Sequence, residues 1–251
     1  MSNLWIFGDS FASAYSFHYK TINNTNMPDW VWMQQVKKNL RVDSAKYISM
    51  PGVSNEWLQC AIRESVKEFS PGDYVVIVTT HINRRWLIKD RPELSNVYLN
   101  NLDKVIPRRD AKIIKNYYET FLDQHLFLSK IYQEQFLTWC YAFAHETKIK
   151  LCLLPAFDET PSHTVMFKDN NSTCLTKIDE AEFLMKKDIA FNLWGGTDKR
   201  LCHLSENNHT VLAQKIVRYF RYNEKIDLMS GFQTNCFKDK NDIINYRPKD
   251  V

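Results

Sequence analysis

The stretch DYVVIVTT, residues 73–80, is the clearest strand signal in this chain of 251 residues. It follows a Pro71-Gly72 turn signal, and its apolar residues run without interruption from Val75 to Val78. Apolar side chains on both faces of a strand require cover on both faces, which is typical of a parallel sheet. The stretch therefore predicts a buried strand of an α/β domain.

Shorter apolar runs predict three further strands, at residues 4–7, 47–50 and 149–154. Amphipathic helical patterns are found at residues 30–40, 55–69 and 211–220. Ser54 or Asn55 is placed to cap the second of these helices, and Ser205 to cap the third. Strands that alternate with helices favour a parallel sheet in a three-layer α/β/α domain.

The remaining segments predict additions to one domain spanning residues 1–251. Residues 110–147 contain no Gly or Pro and predict a helical insertion of two helices or one long one. Residues 158–192 are polar and irregular apart from a helical pattern near 179–187, so we expect a lid or surface excursion there. Residues 222–251 hold scattered apolar residues, and we expect a C-terminal extension that wraps over the domain.

Charge and hydropathy argue against a nucleic-acid partner and against a membrane span. Lys and Arg exceed Asp and Glu by 33 to 29, and no basic block stands out. No segment approaches the roughly 18 apolar residues that a membrane span needs, and the first residues lack a basic leader. We expect a soluble, cytoplasmic protein, and the sequence leaves its oligomeric state open.

Cysteine and histidine spacing gives no metal site. The six cysteines are scattered without a C-x-x-C pair, so we expect reduced, mostly buried thiols. His203 and His209 are six residues apart, which is not the spacing of a helical metal pair. We predict no metal and no other cofactor, and we expect His209 to be structural or at the surface.

Chemically capable residues follow the predicted strands. Ser10 comes after the first strand, Gly52 after the second and residues 80–83 after the third, while Asp198 and His203 precede the last helix. Ligands of an open parallel sheet bind outside the carboxyl ends of its strands. We therefore expect these four loops to meet at one edge and form a site.

Acyl transfer needs this combination of residue types. A serine hydroxyl is a weak nucleophile at neutral pH, and a histidine must take its proton while a third group orients the imidazole. Ser10, His203 and Asp198 fit those roles. Backbone N–H groups of Ser10 and Gly52 suit the developing oxyanion. Gly52 has no Cβ, which lets its backbone approach a ligand closely.

Three sequence blocks carry a resemblance to a known family. They are GDS at residues 8–10, Gly52 within MPGVSNEW, and His203 within CHLSENNHTVLAQKI. Together they resemble the SGNH or GDSL-type hydrolase superfamily, and no G-x-S-x-G elbow is present. The resemblance implies a flavodoxin-like α/β/α esterase or lipase fold, with a Ser nucleophile, a His base, and Gly and Asn oxyanion donors.

The catalytic acid departs from the family pattern. The family usually has an Asp three residues before its histidine, but that position is Arg200 here. The nearest acid is Asp198, five residues before His203. Asp198 can reach the imidazole only if the loop between them takes a different path from the one usual in the family. The alternative is a Ser-His dyad without an acid.

The third block departs as well. The family has G-x-N-D after its third strand, whereas this chain has His81 where the asparagine belongs. Asn83 lies two positions later, and Asn55, close behind Gly52, is a substitute. We favour Asn83 as the oxyanion donor.

Three charged residues near the site have structural alternatives. We expect Asp9 to accept backbone N–H groups and hold the turn that presents Ser10. Arg84 and Arg85 follow the third strand, and their guanidinium groups suit an anionic part of the substrate. An internal salt bridge is an equally good interpretation of either arginine.

The sequence thus predicts a serine esterase acting on a small-molecule or glycan ester through an acyl-enzyme, with carbohydrate O-deacetylation as one reaction. Acyl transfer to an acceptor other than water would use the same residues. The alternative from another class is a catalytically inactive binding or structural module that keeps the fold.

Overall fold

The parallel sheet predicted from the sequence is present. The computed structural model describes residues 2–13, 27–92, 107–157, 174–195 and 198–246. Within these residues one sheet contains four parallel strands: β1 (Leu4–Gly8), β2 (Ala45–Ser49), β3 (Tyr74–Thr79) and β4 (Lys150–Pro155). Each lies within two residues of its predicted position, so the mixed α/β class is confirmed.

The strand order, β2-β1-β3-β4, places β1 and β3 at the centre. Leu4 pairs with Ala45 of β2 on one side and with Tyr74 of β3 on the other. The chain runs outward from β1 to β2 on one side, and then crosses back past β1 to form β3 on its other side. Loops after β1 and β3 therefore border the crevice in which open α/β sheets bind ligands.

Helices connect and follow the strands. Their bounds are α1 Trp32–Leu40, α2 Asn55–Ser65, α3 Arg108–Thr147, α4 Leu175–Ala181, α5 Lys187–Leu193, α6 Glu206–Tyr222 and α7 Lys240–Asn245. The helical insertion is one helix of 40 residues, about 60 Å long at 1.5 Å per residue. It ends where Lys148 takes a left-handed backbone, φ 56°.

Side chains alternate between two cores on opposite faces of the sheet. Leu4 and Ile6 face the core that includes residues of α1 and α6. Trp5 and Phe7 face the core that includes residues of α2 and α3. Because both faces are covered, the strands read as continuous apolar runs, and the predicted three layers are observed.

The helix predicted at residues 179–187 is wrong in position. Helix α4 ends at Ala181, and α5 begins at Lys187. Between them Phe183 pairs with Phe237 of the C-terminal extension, and Leu184 N–H donates to the Phe237 carbonyl. This pairing takes the backbone out of the helical conformation; residues 158–173 of the predicted lid lie outside the described residues.

The C-terminal extension packs on the segment before it. Phe183, Trp194, Phe237 and Ile243 form a small buried cluster that joins the α4–α5 region to α7. All six cysteines fall within the described ranges and are free thiols, four of them buried. Of the helices described, none is long and apolar enough to cross a bilayer.

Candidate active site

The GDS block forms a tight turn at the end of β1. Ser10 opens a short 3₁₀ turn, Ser10–Ala12, and the Asp9 Oδ1 accepts the Phe11 N–H at 3.0 Å. Asp9 is fully buried. It holds the turn that presents Ser10, as the sequence predicted.

Arg84 ties that turn to the loop after β3. Its Nη1 donates to Asp9 Oδ2 at 2.8 Å and to Thr80 Oγ1 at 2.5 Å. The Arg84 side chain is only 11% exposed, and its partner carboxylate is 0% exposed. The structure therefore shows the internal salt bridge that the sequence left open for Arg84.

Asp198 and His203 are in direct contact. The distance between His203 Nδ1 and Asp198 Oδ2 is 3.0 Å, and the His203 side chain is 27% exposed. Burial alone would raise the pKa of Asp198, but the Arg200 charge and the hydrogen bonds from His203 and Arg200 outweigh it, so that pKa lies well below 3.8. An ionised carboxylate only accepts, so His203 Nδ1 carries the proton, and in the neutral ring Nε2 is an acceptor.

The backbone path explains how the five-residue spacing works. Asp198 Oδ1 accepts the Arg200 N–H at 2.9 Å, which closes a local turn. Cys202 and His203 then take left-handed conformations, φ 49° and 59°, which non-glycine residues rarely adopt. These two features fold the imidazole back onto Asp198, so Asp198 reaches His203 across the five-residue spacing.

The turns that carry Ser10 and His203 pack against each other. The Phe11 ring, next to Ser10, lies 4.9 Å from the His203 ring between centroids. Cys202 Sγ donates to the Ser13 carbonyl at 3.4 Å, which joins the same two turns. Ser10 and His203 are each partly exposed, so both lie at the open edge of the sheet.

Phe157, after β4, was missed by sequence reasoning. Its ring lies 6.1 Å from the Phe11 ring and 5.2 Å from the His81 ring, and the Arg84 guanidinium lies 4.9 Å from it. The only sequence signal was its position two residues beyond Pro155, at the end of the predicted strand. Phe157 therefore connects the loops after β1, β3 and β4.

The loop after β3 has a defined hydrogen-bond direction. His81 Nδ1 accepts the Asn83 N–H at 3.1 Å, so in the neutral ring the proton is on Nε2. The Asn83 carbonyl accepts the Tyr118 hydroxyl at 2.7 Å. Both oxyanion alternatives of this loop, His81 and Asn83, thus lie beside the Arg84 contact with the Ser10 turn.

Asn55 is ruled out as the substitute oxyanion donor. Its Oδ1 accepts the Thr80 N–H at 3.0 Å, and its Nδ2 donates to the Thr80 carbonyl and to Gln133 Oε1. Both N–H bonds of the amide are used in joining α2 to β3 and α3. Gly52, by contrast, lies in the turn after β2 with φ 80°, a conformation that suits glycine.

Arg85 is paired internally, like Arg84. It donates to Glu56 and stacks 4.1 Å from the Tyr132 ring. Beside it a cavity of about 140 Å³ between α2 and α3 is lined by residues that include Asn55, Arg84, Arg85, Ser129, Gln133 and Phe136. Arg85 Nε and Gln133 Nε2 have no hydrogen-bond partner among the residues described.

A buried arginine behind the site was also missed. Arg200 donates through Nε and Nη2 to the two oxygens of Asp198, at 3.0 and 2.7 Å. Its Nη1 donates to Glu182 at 2.8 Å, and Nη2 also contacts Asp179. No signal indicated Asp179 or Glu182, because a short helical pattern near residues 179–187 does not show that two of its carboxylates face a buried arginine.

His209 has a structural role. Its Nδ1 accepts the Trp32 N–H at 3.2 Å, and its Nε2 lies 3.0 Å from the Leu201 carbonyl. Burial lowers the pKa of His209 to about 3, so the ring is neutral. It joins α6 to α1 and to the turn that carries His203.

The described part of the chain holds no group of three His, Cys, Asp or Glu side chains arranged to bind a metal ion. Comparisons with protein-family models, with curated proteins and with solved structures gave no match.

Proposed function

We propose that this chain is a serine esterase of the SGNH or GDSL type, with the flavodoxin-like fold of that group. The observation that carries the proposal is the 3.0 Å contact between His203 Nδ1 and Asp198 Oδ2, on a turn that packs against the turn of Ser10. The strand order β2-β1-β3-β4 agrees with the flavodoxin-like order and supports the fold.

In the proposed reaction Ser10 Oγ attacks the ester carbonyl carbon, and its proton passes to His203 Nε2. Asp198 accepts the Nδ1–H and stabilises the imidazolium that forms. Collapse of the tetrahedral intermediate breaks the ester C–O bond, and the leaving alkoxide takes the proton from Nε2. Water then repeats the sequence on the acyl-Ser10 ester, which releases the acid and restores the serine.

The N–H groups of Ser10 and Gly52 and the amide of Asn83 are the proposed oxyanion donors. His81 is the alternative to Asn83, because the Asn83 N–H on its Nδ1 fixes the neutral tautomer with a donor at Nε2. Asn55 no longer belongs to this set.

The substrate we favour is an uncharged acetylated sugar. Arg84 and Arg85 are each ion-paired within the protein, so neither offers an uncompensated charge to an anionic substrate. Besides the paired Arg84, Arg85 and Glu56, the cavity beside them is lined by carboxamide, hydroxyl and aromatic side chains. Hydroxyl groups of a sugar suit such a lining, because they both donate and accept hydrogen bonds.

The test is acetate release from 4-nitrophenyl acetate and from a panel of O-acetylated sugars. Wild type should release acetate, and Ser10→Ala and His203→Gln should not. Ser13→Ala is the matched serine control from the end of the same turn. Turnover that persists in Ser10→Ala would contradict the assignment of the nucleophile.

A catalytically inactive module is the second candidate. It is favoured by one observation: His81 stands where the family has its oxyanion asparagine, and the substitute Asn55 already uses its amide N–H groups on Thr80 and Gln133. A wild-type protein that binds acetylated sugars without releasing acetate would support it.

A further inference from the structure

The two chain segments on either side of His203 are fixed by one buried ion pair. On the N-terminal side of His203, Arg200 donates hydrogen bonds to both oxygens of Asp198. After it, Glu182 accepts the Ser205 N–H through both oxygens, at 2.8 and 3.0 Å. Arg200 and Glu182 bind each other at 2.8 Å, and the side chains of both are 0% exposed.

We propose that the Arg200–Glu182 pair positions His203 and Asp198 for proton transfer from Ser10. The proposal rests on the proposed esterase function and adds two positioning residues to it. Arg200 occupies the sequence position at which the family has its acid. Here the acid is Asp198, two residues earlier, and the Arg200–Glu182 pair holds it in place.

The geometry of Arg200 suits this task. Its planar guanidinium meets the Asp198 carboxylate with two parallel N–H donors, and such a fork fixes orientation as well as distance. Its backbone N–H holds Asp198 Oδ1 as well. Asp198 Oδ2 is then directed at the imidazole by three hydrogen bonds from Arg200 rather than by the loop alone.

Glu182 performs the corresponding task on the other side. It accepts the Ser205 N–H at the start of α6 and also a hydrogen bond from Asn208. His203, with its left-handed backbone, lies between these anchors. Rare conformations persist where the surrounding structure over-determines them, so loosening either anchor should let the imidazole leave its position.

The variants that test the pair are Arg200→Lys and Glu182→Gln. Lysine keeps the buried positive charge but loses the planar fork to Asp198. Glutamine keeps an acceptor for the Ser205 N–H but loses one of the three carboxylate charges that bind Arg200. Asp73→Asn is the control, because Asp73 is a buried, hydrogen-bonded carboxylate at the opposite end of β3.

Turnover of 4-nitrophenyl acetate is measured under conditions in which urea unfolding shows each variant to be fully folded. We expect Arg200→Lys and Glu182→Gln to lower kcat by about 10- to 100-fold, the range that misplaced catalytic groups produce. KM should stay unchanged, because neither residue faces the substrate. Asp73→Asn should lower stability without changing kcat.

A double-variant comparison separates positioning from general support of the fold. If Arg200 acts through Asp198, Arg200→Lys should lower kcat in wild type but have no further effect in an Asp198→Ala background. An equal loss in both backgrounds would overturn the proposal. Folded Arg200→Lys and Glu182→Gln variants with wild-type kcat would overturn it too, as would failure of both to fold.

Failure of the proposed function gives a different result. A folded wild-type protein with no turnover and no reactive Ser10 removes the esterase assignment itself. Normal wild-type turnover, unaffected by the two variants, removes only the role of the Arg200–Glu182 pair.

Discussion

Single residues decide whether the Ser10 turn can form at all. A Cβ on Gly8 would lie 2.6 Å from Ala12 Cβ and 2.8 Å from Val78 Cβ, closer than real contacts allow. The glycine of the GDS block is therefore required by the close approach of β1 to β3 and to the turn that follows.

Gly8→Ala should destabilise the protein by about 1–3 kcal/mol, the usual cost of forcing an extra methyl group into a packed site. Urea unfolding measures the loss. Adding Ala12→Gly removes one of the two close contacts, so the double variant should lose less than the sum of the single losses. An unchanged unfolding midpoint in Gly8→Ala would contradict the packing.

Asp198→Asn should lower kcat for ester hydrolysis by up to about 10⁴-fold, because an amide favours the wrong imidazole tautomer. Steady-state kinetics measure the loss. The control is Asp227→Asn, in the C-terminal extension, where the carboxylate accepts local hydrogen bonds from Met229 and Ser230. Equal activity of Asp198→Asn and wild type would remove Asp198 from the mechanism.

At the scale of helices and strands, two serines at N-cap positions differ in whether the side chain caps the helix. Ser54 caps α2, since its hydroxyl accepts the Trp57 N–H at 3.3 Å. Ser205 stands at the N-cap of α6, as predicted, but its side chain makes no cap hydrogen bond. Glu182 bonds the Ser205 N–H instead.

Ser54→Ala should therefore lower the free energy of unfolding by about 1 kcal/mol, the usual value of an N-cap. Ser205→Ala should have a much smaller effect. Chemical denaturation of the two variants side by side provides the comparison, and equal losses would show that Ser205 caps its helix after all.

The buried ring of His209 predicts the pH dependence of stability. Its pKa is lowered by burial from 6.5 in the unfolded chain to about 3, so below pH 6.5 the unfolded chain takes up a proton that the folded protein does not. The contribution of His209 to the free energy of unfolding is fully present above pH 6.5 and is lost as the pH falls toward 3.

When the pH falls from 7.5 to 5, protonation of His209 in the unfolded chain should lower the free energy of unfolding by about 2 kcal/mol, at 1.36 kcal/mol for each pH unit below 6.5. His209→Gln should be less stable than wild type at pH 7.5 but should lose less on acidification. Urea unfolding at the two pH values measures both, and an identical loss in wild type and variant would contradict the buried neutral ring.

Element positions could be predicted wherever local pattern and tertiary environment agree. The run of residues 73–80 is covered on both faces of the sheet, so its continuous apolar sequence was enough to predict a buried strand. The break between α4 and α5 could not be predicted, because it arises from pairing of Phe183 with Phe237, 54 residues away along the chain. Helix α6, predicted to begin at residue 211, begins five residues earlier at Glu206, because polar residues fill its first turn.

For the whole molecule, topology brings distant residues to one edge. The GDS turn and the loop after β3 meet there because parallel strands place their carboxyl ends together. The turn that carries His203 joins them by packing against the GDS turn. Sequence order predicted these members of the site. It could not predict Arg200 with Asp179 and Glu182, because a buried ion cluster depends on three-dimensional neighbours that no local pattern records.

The most direct test of the account is intact-mass analysis of the protein after treatment with a fluorophosphonate at neutral pH. We predict one covalent adduct on wild type, no adduct on Ser10→Ala and slow formation on Asp198→Asn. The absence of an adduct on well-folded wild-type protein, or an adduct that persists in Ser10→Ala, would contradict the assignment of Ser10 as an activated nucleophile.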